Sequence, residues 1–302
     1  MKIVIAGGSG FIGKALTNTL LKKGHEVVIL SRKEKKTNGK ISYVKWLGSN
    51  DFPENEIVHA DAFINLAGVS INEGRWTAQH QKEIYVSRMT ATDELLRILC
   101  VLPTKPSVLV NASAIGIYPV SNTAVYTEKS KEIATDFLAK TVHDWEKKAA
   151  QIEAEGVRVA FVRFGVVLGN GGGALPLMVL PYRLFVGGTV GSGEQWMSWV
   201  HVQDVARAIA FAVEKPALSG PINVTSPFPM RMKSFGKTIG LVLHRPHWFP
   251  VPSILMKLAL GQKSALVLKG QHVLPEVLTN NGFEFLFPTL DLALEDLLKR
   301  NE

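Results

Sequence analysis

Met1-Lys-Ile-Val-Ile-Ala-Gly-Gly-Ser-Gly-Phe-Ile-Gly13 opens the chain, and its reading decides the fold. Lys2 to Ala6 is an apolar run of strand length. The glycines after it satisfy both G-x-G-x-x-G spacing (Gly8, Gly10, Gly13) and G-x-x-G-x-x-G spacing (Gly7, Gly10, Gly13). Ile12, Leu16 and Leu20 then recur every four residues, as on one face of a helix, and a second apolar run covers 26 to 31. This strand, turn, helix and strand is the context that gives a glycine triplet meaning. Glycine allows the tight turn, lets backbone approach a diphosphate with no Cβ in the way, and leaves the first helical N–H groups facing the anion. Gly7, Gly8, Ser9, Gly10, Phe11, Ile12 and Gly13 are therefore expected to hold a nicotinamide dinucleotide, the alternative being an α/β turn that binds nothing.

The residues after the second strand bear on which dinucleotide. NAD-preferring sites place an acidic side chain there to hold the ribose hydroxyls. Here the residues are Ser31-Arg32-Lys33. A guanidinium donates a forked pair of hydrogen bonds to a 2′-phosphate and a serine hydroxyl adds another, so Ser31 and Arg32 point to NADP (NADPH). The bland alternative for Arg32 is an exposed loop arginine.

Outward from this unit, strand-length and helix-period segments keep alternating, at 61 to 67, 78 to 102, 107 to 113, 135 to 155 and 157 to 164. Such alternation predicts a parallel sheet with crossover helices. Past Gly169 the pattern changes to a glycine run and Pro-interrupted segments. One helix is expected over Val205 to Glu214 with Asp204 as its N-cap, then a strand at 221 to 225. The expected fold is α/β, a doubly wound parallel sheet (Rossmann fold) with a smaller discontinuous C-terminal domain. Residues 1-168 and 199-228 would form the NADP-binding part, and 169-198 and 229-302 the substrate-side part.

Composition narrows the function classes. Lys and Arg number 34 against 26 Asp and Glu, but no basic tail or helical stripe gathers the excess, so no nucleic-acid partner is expected. No apolar run suits a membrane span, and Lys2 to Ala6 runs straight into the glycine turn with no signal-peptide core, so no membrane partner and a cytoplasmic address are expected. The single cysteine, Cys100, excludes an internal disulfide, offers no metal site, and reads as a small buried hydrophobe.

Further strings resemble the extended short-chain dehydrogenase/reductase superfamily, home of the NAD-dependent epimerase/dehydratase family. They are Asn65-Leu-Ala-Gly68, Asn111-Ala-Ser-Ala-Ile-Gly-Ile-Tyr118 and Val200-His-Val-Gln-Asp204. Arg75-Trp76, Asp144-Trp-Glu146, Val166-Val-Leu-Gly-Asn-Gly-Gly-Gly-Ala-Leu-Pro176, Gly191-Ser-Gly-Glu-Gln195 and Leu268-Lys-Gly-Gln-His-Val-Leu-Pro275 narrow it to the YfcH/YfhF-type branch with its own C-terminal domain. The resemblance implies that Leu66, Ala67 and Gly68 line the adenosine side of the crevice and that Val167 lies near the nicotinamide. It also implies that Glu83 and Arg88 touch NADP, against the alternative of solvated helix charges.

The superfamily's proton-moving pair, a tyrosine with a lysine four residues later, is missing. The residues four beyond the five tyrosines are Leu47, Met89, Asn122, Ser130 and Val186. Aligning the helix on Glu146 puts Leu138 and Val142 in the pair's places. Ser113 matches the substrate-orienting serine and Tyr118 is a possible replacement acid. The alternatives are a strand-end hydroxyl bonded to backbone and a buried aromatic. Arg183, Gln195, Trp196, Trp199 and Arg231 are candidates for a cleft rim. The expectation is thus an NADP-dependent oxidoreductase or epimerase acting on an unknown small polar, sugar-like substrate. The alternative is a non-catalytic NADP-responsive regulatory protein; the oligomeric state stays open.

Overall fold

The computed structural model describes residues 1–37 and 39–299, apart from the side chain at 259. Seven strands form one parallel sheet: β1 (Lys2–Ala6), β2 (Glu26–Ser31), β3 (Ile41–Lys45), β4 (Ala62–Asn65), β5 (Val108–Ala114), β6 (Arg158–Phe164) and β7 (Gly220–Val224). Their spatial order is β7-β6-β5-β4-β1-β2-β3. The chain winds outward one way from β1 through β3 and the other way from β4 through β7. The reversal between β1 and β4 opens a crevice beyond their carboxyl ends, where open α/β sheets bind ligands.

Helices cover both faces, which is why the strands carry consecutive apolar residues rather than a strict alternation with polar ones. On one face Ile3, Ile5, Val27, Ile29, Val110 and Val162 pack under α1 (Phe11–Lys22) and α5 (Val202–Glu214). On the other, Val4, Val28, Phe63, Leu109, Val159 and Phe161 pack under α2 (Ala78–Val101). Helix α1 stops where Gly24 turns left-handed at φ +83°, allowing the His25 N–H to reach the Leu20 carbonyl at 3.1 Å. Thr77 caps α2 by accepting from the His80 N–H, and Asp136 caps α3 (Phe137–Ala149) by accepting from Ala139.

A third core joins α4 (Leu175–Arg183), α6 (Met232–Leu243) and α8 (Leu290–Lys299), with Tyr182, Trp199, Phe235 and Leu294 at its centre. Between the last two helices in sequence lies α7 (Ser253–Leu260). Leu278 and Phe283, by contrast, pack into the sheet's core beside α5. None of the helices among the described residues is long and apolar enough to cross a membrane.

Two local expectations need correction. Helix α5 begins at Val202, three residues before the expected start, capped by the His201 ring accepting from the Gln203 N–H at 3.1 Å. Asp204 is fully buried in the first turn, and its carboxylate accepts from the Leu286 and Phe287 N–H groups at 2.8 and 2.9 Å. It ties the C-terminal segment to the sheet instead of capping. Cys100 is exposed: it sits one residue past the buried pair Ile98 and Leu99, off the apolar stripe of α2.

Candidate functional site

The turn after β1 has no room for side chains. A Cβ on Gly7, where φ is +81°, would lie 2.6 Å from the Leu66 carbonyl oxygen, and one on Gly13 would lie 2.4 Å from the Gly7 oxygen. The first contact presses the turns after β1 and β4 together across the switch point; the second seats α1 on its own turn. Gly10 is the N-cap of α1 in extended conformation (φ −74°, ψ 179°) and lacks a side chain to satisfy the following N–H groups. No acidic residue stands in the first turn. Free donors at the positive end of a helix, reached by bare backbone, fit a diphosphate.

The glycine run at 169–173 completes this end in a way sequence did not show. Cβ atoms on Gly169 and Gly172 would come within 2.5 and 2.9 Å of the Phe11 ring, and one on Gly173, at φ +76°, would lie 2.5 Å from the Val167 carbonyl. The loop therefore wraps Phe11, the first residue of α1, and binds the β1 turn to the segment carrying Val167, which pairs with Val200 in a short parallel ladder.

Ser31 ends β2 and accepts from the Lys33 N–H at 3.3 Å, while Arg32 is exposed just beyond it. Across the switch point Asn65 shapes the Leu66-Ala67-Gly68 turn. Its Oδ1 accepts from the Ala67 N–H at 3.2 Å, and its Nδ2 donates to Thr92 Oγ1 and Asn111 Oδ1 at 3.0 and 2.8 Å. Trp145 Nε1 donates to the same Thr92 oxygen at 2.9 Å. Ser87 Oγ accepts from the Val69 N–H at 3.0 Å. Arg88 lies directly behind Gly68: a Cβ there would sit 3.1 Å from the guanidinium carbon. Arg88 Nη1 donates to the Val69 and Ile84 carbonyls at 3.1 and 2.9 Å, and the guanidinium carbon stands 5.1 Å from the Trp145 ring centroid. Among the described residues no carboxylate forms a salt bridge with it, and desolvation pushes its pKa down to about 10. A half-buried guanidinium without an anion is a group that gains from one. The Glu83 side chain is 49% exposed and is held by Gln79 and His80.

The far side of the crevice is occupied differently. Ser113, Arg163 and Asn223 stand side by side on β5, β6 and β7. Ser113 Oγ donates to Glu146 Oε1 at 2.5 Å, and Arg163 grips the same carboxylate with two hydrogen bonds of 2.8 Å. Arg163 Nη1 donates to the Tyr118 hydroxyl at 2.9 Å, and that hydroxyl donates to Asn223 Oδ1 at 3.0 Å. Burial raises the Tyr118 pKa, with Arg163 working against the shift. Tyr118 is 1% exposed and stacks on Tyr126 at 5.2 Å. As a replacement acid it is therefore corrected: its hydroxyl is used on both sides, deep in the wall. Ser113 is 3% exposed and is bonded to a side chain rather than to backbone.

At the two positions expected to correspond to the missing pair, α3 presents Leu138 beside Gly116 and Val142 in the apolar cluster with Ile117 and Tyr118. Two expected rim residues are structural. Trp199 is fully buried in the third core, and Gln195 donates to the Val190 and Val267 carbonyls at 3.0 and 2.9 Å. Trp196 stacks on His272 at 3.9 Å with the Arg231 guanidinium 4.0 Å from its ring centroid, while Arg183 is exposed at the end of α4.

Comparison with known proteins gives a consistent result. The model of the NAD dependent epimerase/dehydratase family matches residues 3–225, and that of a domain of unknown function (DUF1731) matches residues 251–297. The chain is 48% identical over 299 residues to the epimerase family protein YfhF of Bacillus subtilis, covering 99% of this chain and 98% of that one. It is 43% identical over 298 residues to the epimerase family protein SH2119 of Staphylococcus haemolyticus, covering 98% and 99%. Among solved structures, the human epimerase family protein SDR39U1 (isoform 2) with NADPH matches at a TM-score of 0.88 and 34% identity over 99% of each chain. MoeE5 in complex with UDP-glucose and NAD matches at a TM-score of 0.79 and 18% identity over 100% of this chain and 98% of that one, a likeness of fold alone.

Proposed function

The chain belongs to the NAD-dependent epimerase/dehydratase family, in its YfhF-type branch, and we propose that within it this protein is an NADP(H)-dependent oxidoreductase or epimerase of a small, polar, sugar-like molecule. The observation that carries this reading is the Cβ-intolerant turn from Gly7 to Gly13 beside an uncapped helix, followed one strand later by Ser31-Arg32 in place of an acidic residue. Backbone N–H groups of Ser9, Phe11, Ile12 and Gly13 hold the diphosphate, with Gly7, Gly8 and Gly10 admitting it closely. Ser31 and Arg32 hold the 2′-phosphate. Leu66, Ala67 and Gly68 line the adenosine side, Arg88 supplies the positive field behind them, and Val167 backbone meets the nicotinamide amide. Glu83, on the same helix as Arg88, contributes a further polar contact to the cofactor. When bound, the dinucleotide supplies or accepts a hydride at its nicotinamide C4. The NADPH bound to the human relative supports the choice of cofactor.

Proton handling then falls to Ser113. Its Oγ carries a proton shared with Glu146, and Arg163 holds that carboxylate in place. Leu138 and Val142 move no proton, so the substrate's proton passes by Ser113 or by water. A second reading, a non-catalytic NADP-responsive regulator acting in the cytoplasm, is favoured by the same pair of apolar residues and by the fully used Tyr118 hydroxyl.

Calorimetric titration tests the cofactor assignment: NADPH binds at least about tenfold more tightly than NADH, and Arg32→Ala erases the difference. Equal affinities in the unmodified protein remove the NADP assignment. NADPH oxidation with a panel of nucleotide sugars and small keto-polyols separates the two readings. Turnover that Ser113→Ala suppresses supports the enzyme, and tight binding with no turnover throughout supports the regulator.

A further inference from the structure

Positive charge is unevenly distributed along this chain. Between Lys215 and Pro275 there are eight Lys and Arg and no Asp or Glu, while the whole chain has a formal net charge of +8, so the rest of the molecule is electrically balanced. The same stretch holds large apolar side chains in solvent: Leu241 (74% exposed), Trp248 (70%), Ile254 (68%) and Leu258 (74%). Single exposed apolar residues are ordinary, but a contiguous group marks a binding surface.

These residues are contiguous. The N–H groups of Trp248 and Phe249 both donate to the Gly187 carbonyl at 3.1 Å, and Trp248 Nε1 donates to the Phe185 carbonyl at 3.1 Å. The Arg245 guanidinium lies 4.4 Å from the centroid of the exposed Phe185 ring. Val251 bonds back to Thr189, and α7 starts two residues later. That helix reads Ser-Ile-Leu-Met-Lys-Leu-Ala-Leu, yet none of its described side chains is buried. Ser253, Met256 and Leu260 are half-buried along one side of it, while Ile254, Leu255 and Leu258 stand exposed on the other, and an apolar outer face marks a binding surface. Beside this surface Lys237, Gly240, Leu241, His244, Arg245 and His247 line a cavity of about 350 Å³. Tyr182 and Thr189 fix the His247 ring at its edge, at 2.8 and 3.0 Å.

We propose that this face, made of α7 with Phe185, Trp248 and Phe249, docks on an anionic lipid surface and that the basic cavity receives a phosphate headgroup. Charge chooses among the occupants. Lys215, Arg231 and Lys263 are bonded elsewhere, but Lys237, Arg245 and Lys257 belong to this face, and a second copy would set these cations against their own counterparts, which repels. A negatively charged membrane meets the cations while accepting the apolar side chains, and tryptophan and phenylalanine suit the interface between headgroups and acyl chains. Lys257 and Lys237 can reach headgroups while their methylenes lie along the apolar layer. The dinucleotide crevice lies at the carboxyl ends of the strands and uses none of these residues, so this inference is independent of the cofactor assignment.

Sedimentation of the full-length protein with vesicles tests the proposal. It should pellet with phosphatidylcholine vesicles containing one third phosphatidylglycerol, stay in solution with phosphatidylcholine alone, and lose at least about tenfold in affinity when salt is raised. The double variant Leu255→Glu, Leu258→Glu should weaken binding about a hundredfold while keeping the melting temperature and the NADPH titration of the parent. Absence of pelleting, equal pelleting with both vesicle types, or a double variant that binds like the parent would overturn it. So would a dimer that the same substitutions dissolve in a protein that ignores vesicles, which would give the face to a second copy.

Discussion

Around Gly7 to Gly13 the carboxyl end of β1 presents backbone stripped of side chains, with helical N–H groups left without partners. On the other side of the crevice, around Ser113 and Arg163, side chains fill the corresponding strand ends, and the Tyr118 hydroxyl and Glu146 carboxylate are held from more than one direction. The first region has capacity in reserve and is built to receive a ligand. The second spends its polar groups on one another, so it fixes β5, β6, β7 and α3 together. The difference teaches that one sheet can offer a ligand bare backbone at one set of strand ends and an interlocked set of side chains at the next.

The comparison can be broken or sharpened by substitution. Glu146→Ala leaves Arg163 buried without its carboxylate, and the pair's side chains are only 10% and 12% exposed. A loss of about 3–5 kcal/mol in denaturant unfolding is expected, with NADPH affinity nearly unchanged in the molecules that remain folded. If stability holds and NADPH affinity collapses, the two regions are not separable. Gly13→Ala should do the reverse in emphasis: about 1–3 kcal/mol of stability from overpacking against Gly7 and Gly8, with the NADPH-induced rise in melting temperature abolished. Tyr118→Phe removes a donor from Asn223 and an acceptor from Arg163. It should cost about 1–2 kcal/mol of stability while leaving nucleotide binding alone, which thermal melts with and without NADPH would read.

The smallest effect concerns pH. Burial lowers the pKa values of His201, His247 and His272. His201 has Asp296 opposing the shift, and His247 has Lys237 adding to it. The folded protein therefore takes up these protons less readily than the unfolded chain, whose histidines titrate near about pH 6.5. Stability from these groups is fully present above that value and is lost as pH falls through and below it. Melting temperature should decline from about pH 7.5 to about pH 5.5, and a flat or rising profile would show that the ion pair of His201 with Asp296 outweighs burial.

The cradle was legible because its requirements are local: glycine spacing, an apolar strand before it and a four-residue stripe after it lie within one short segment. The corner was not. Its bonds join residues 17, 33, 45 and 105 positions apart, and the pairing depends on which strands become neighbours. A signal was present nonetheless, because Ser113, Arg163 and Asn223 interrupt the apolar runs of their strands close to the carboxyl ends. Asp204 misled for a related reason. An acidic residue just before an apolar helical pattern resembles a cap, and only the distant Leu286 and Phe287 reveal its use. The wrapping of Phe11 by the glycines at 169–173 is likewise a contact between segments far apart in sequence.

Hydrogen exchange at the start of α1 tests the central claim most directly. Added NADPH should slow exchange of the backbone amides of Ser9, Phe11, Ile12 and Gly13 more than anywhere else in the chain, because those N–H groups gain an anionic acceptor, whereas the Gly10 N–H already donates to the Gly7 carbonyl at 3.0 Å. Unchanged exchange there, with protection arising at another place while NADPH is demonstrably bound, would contradict the account.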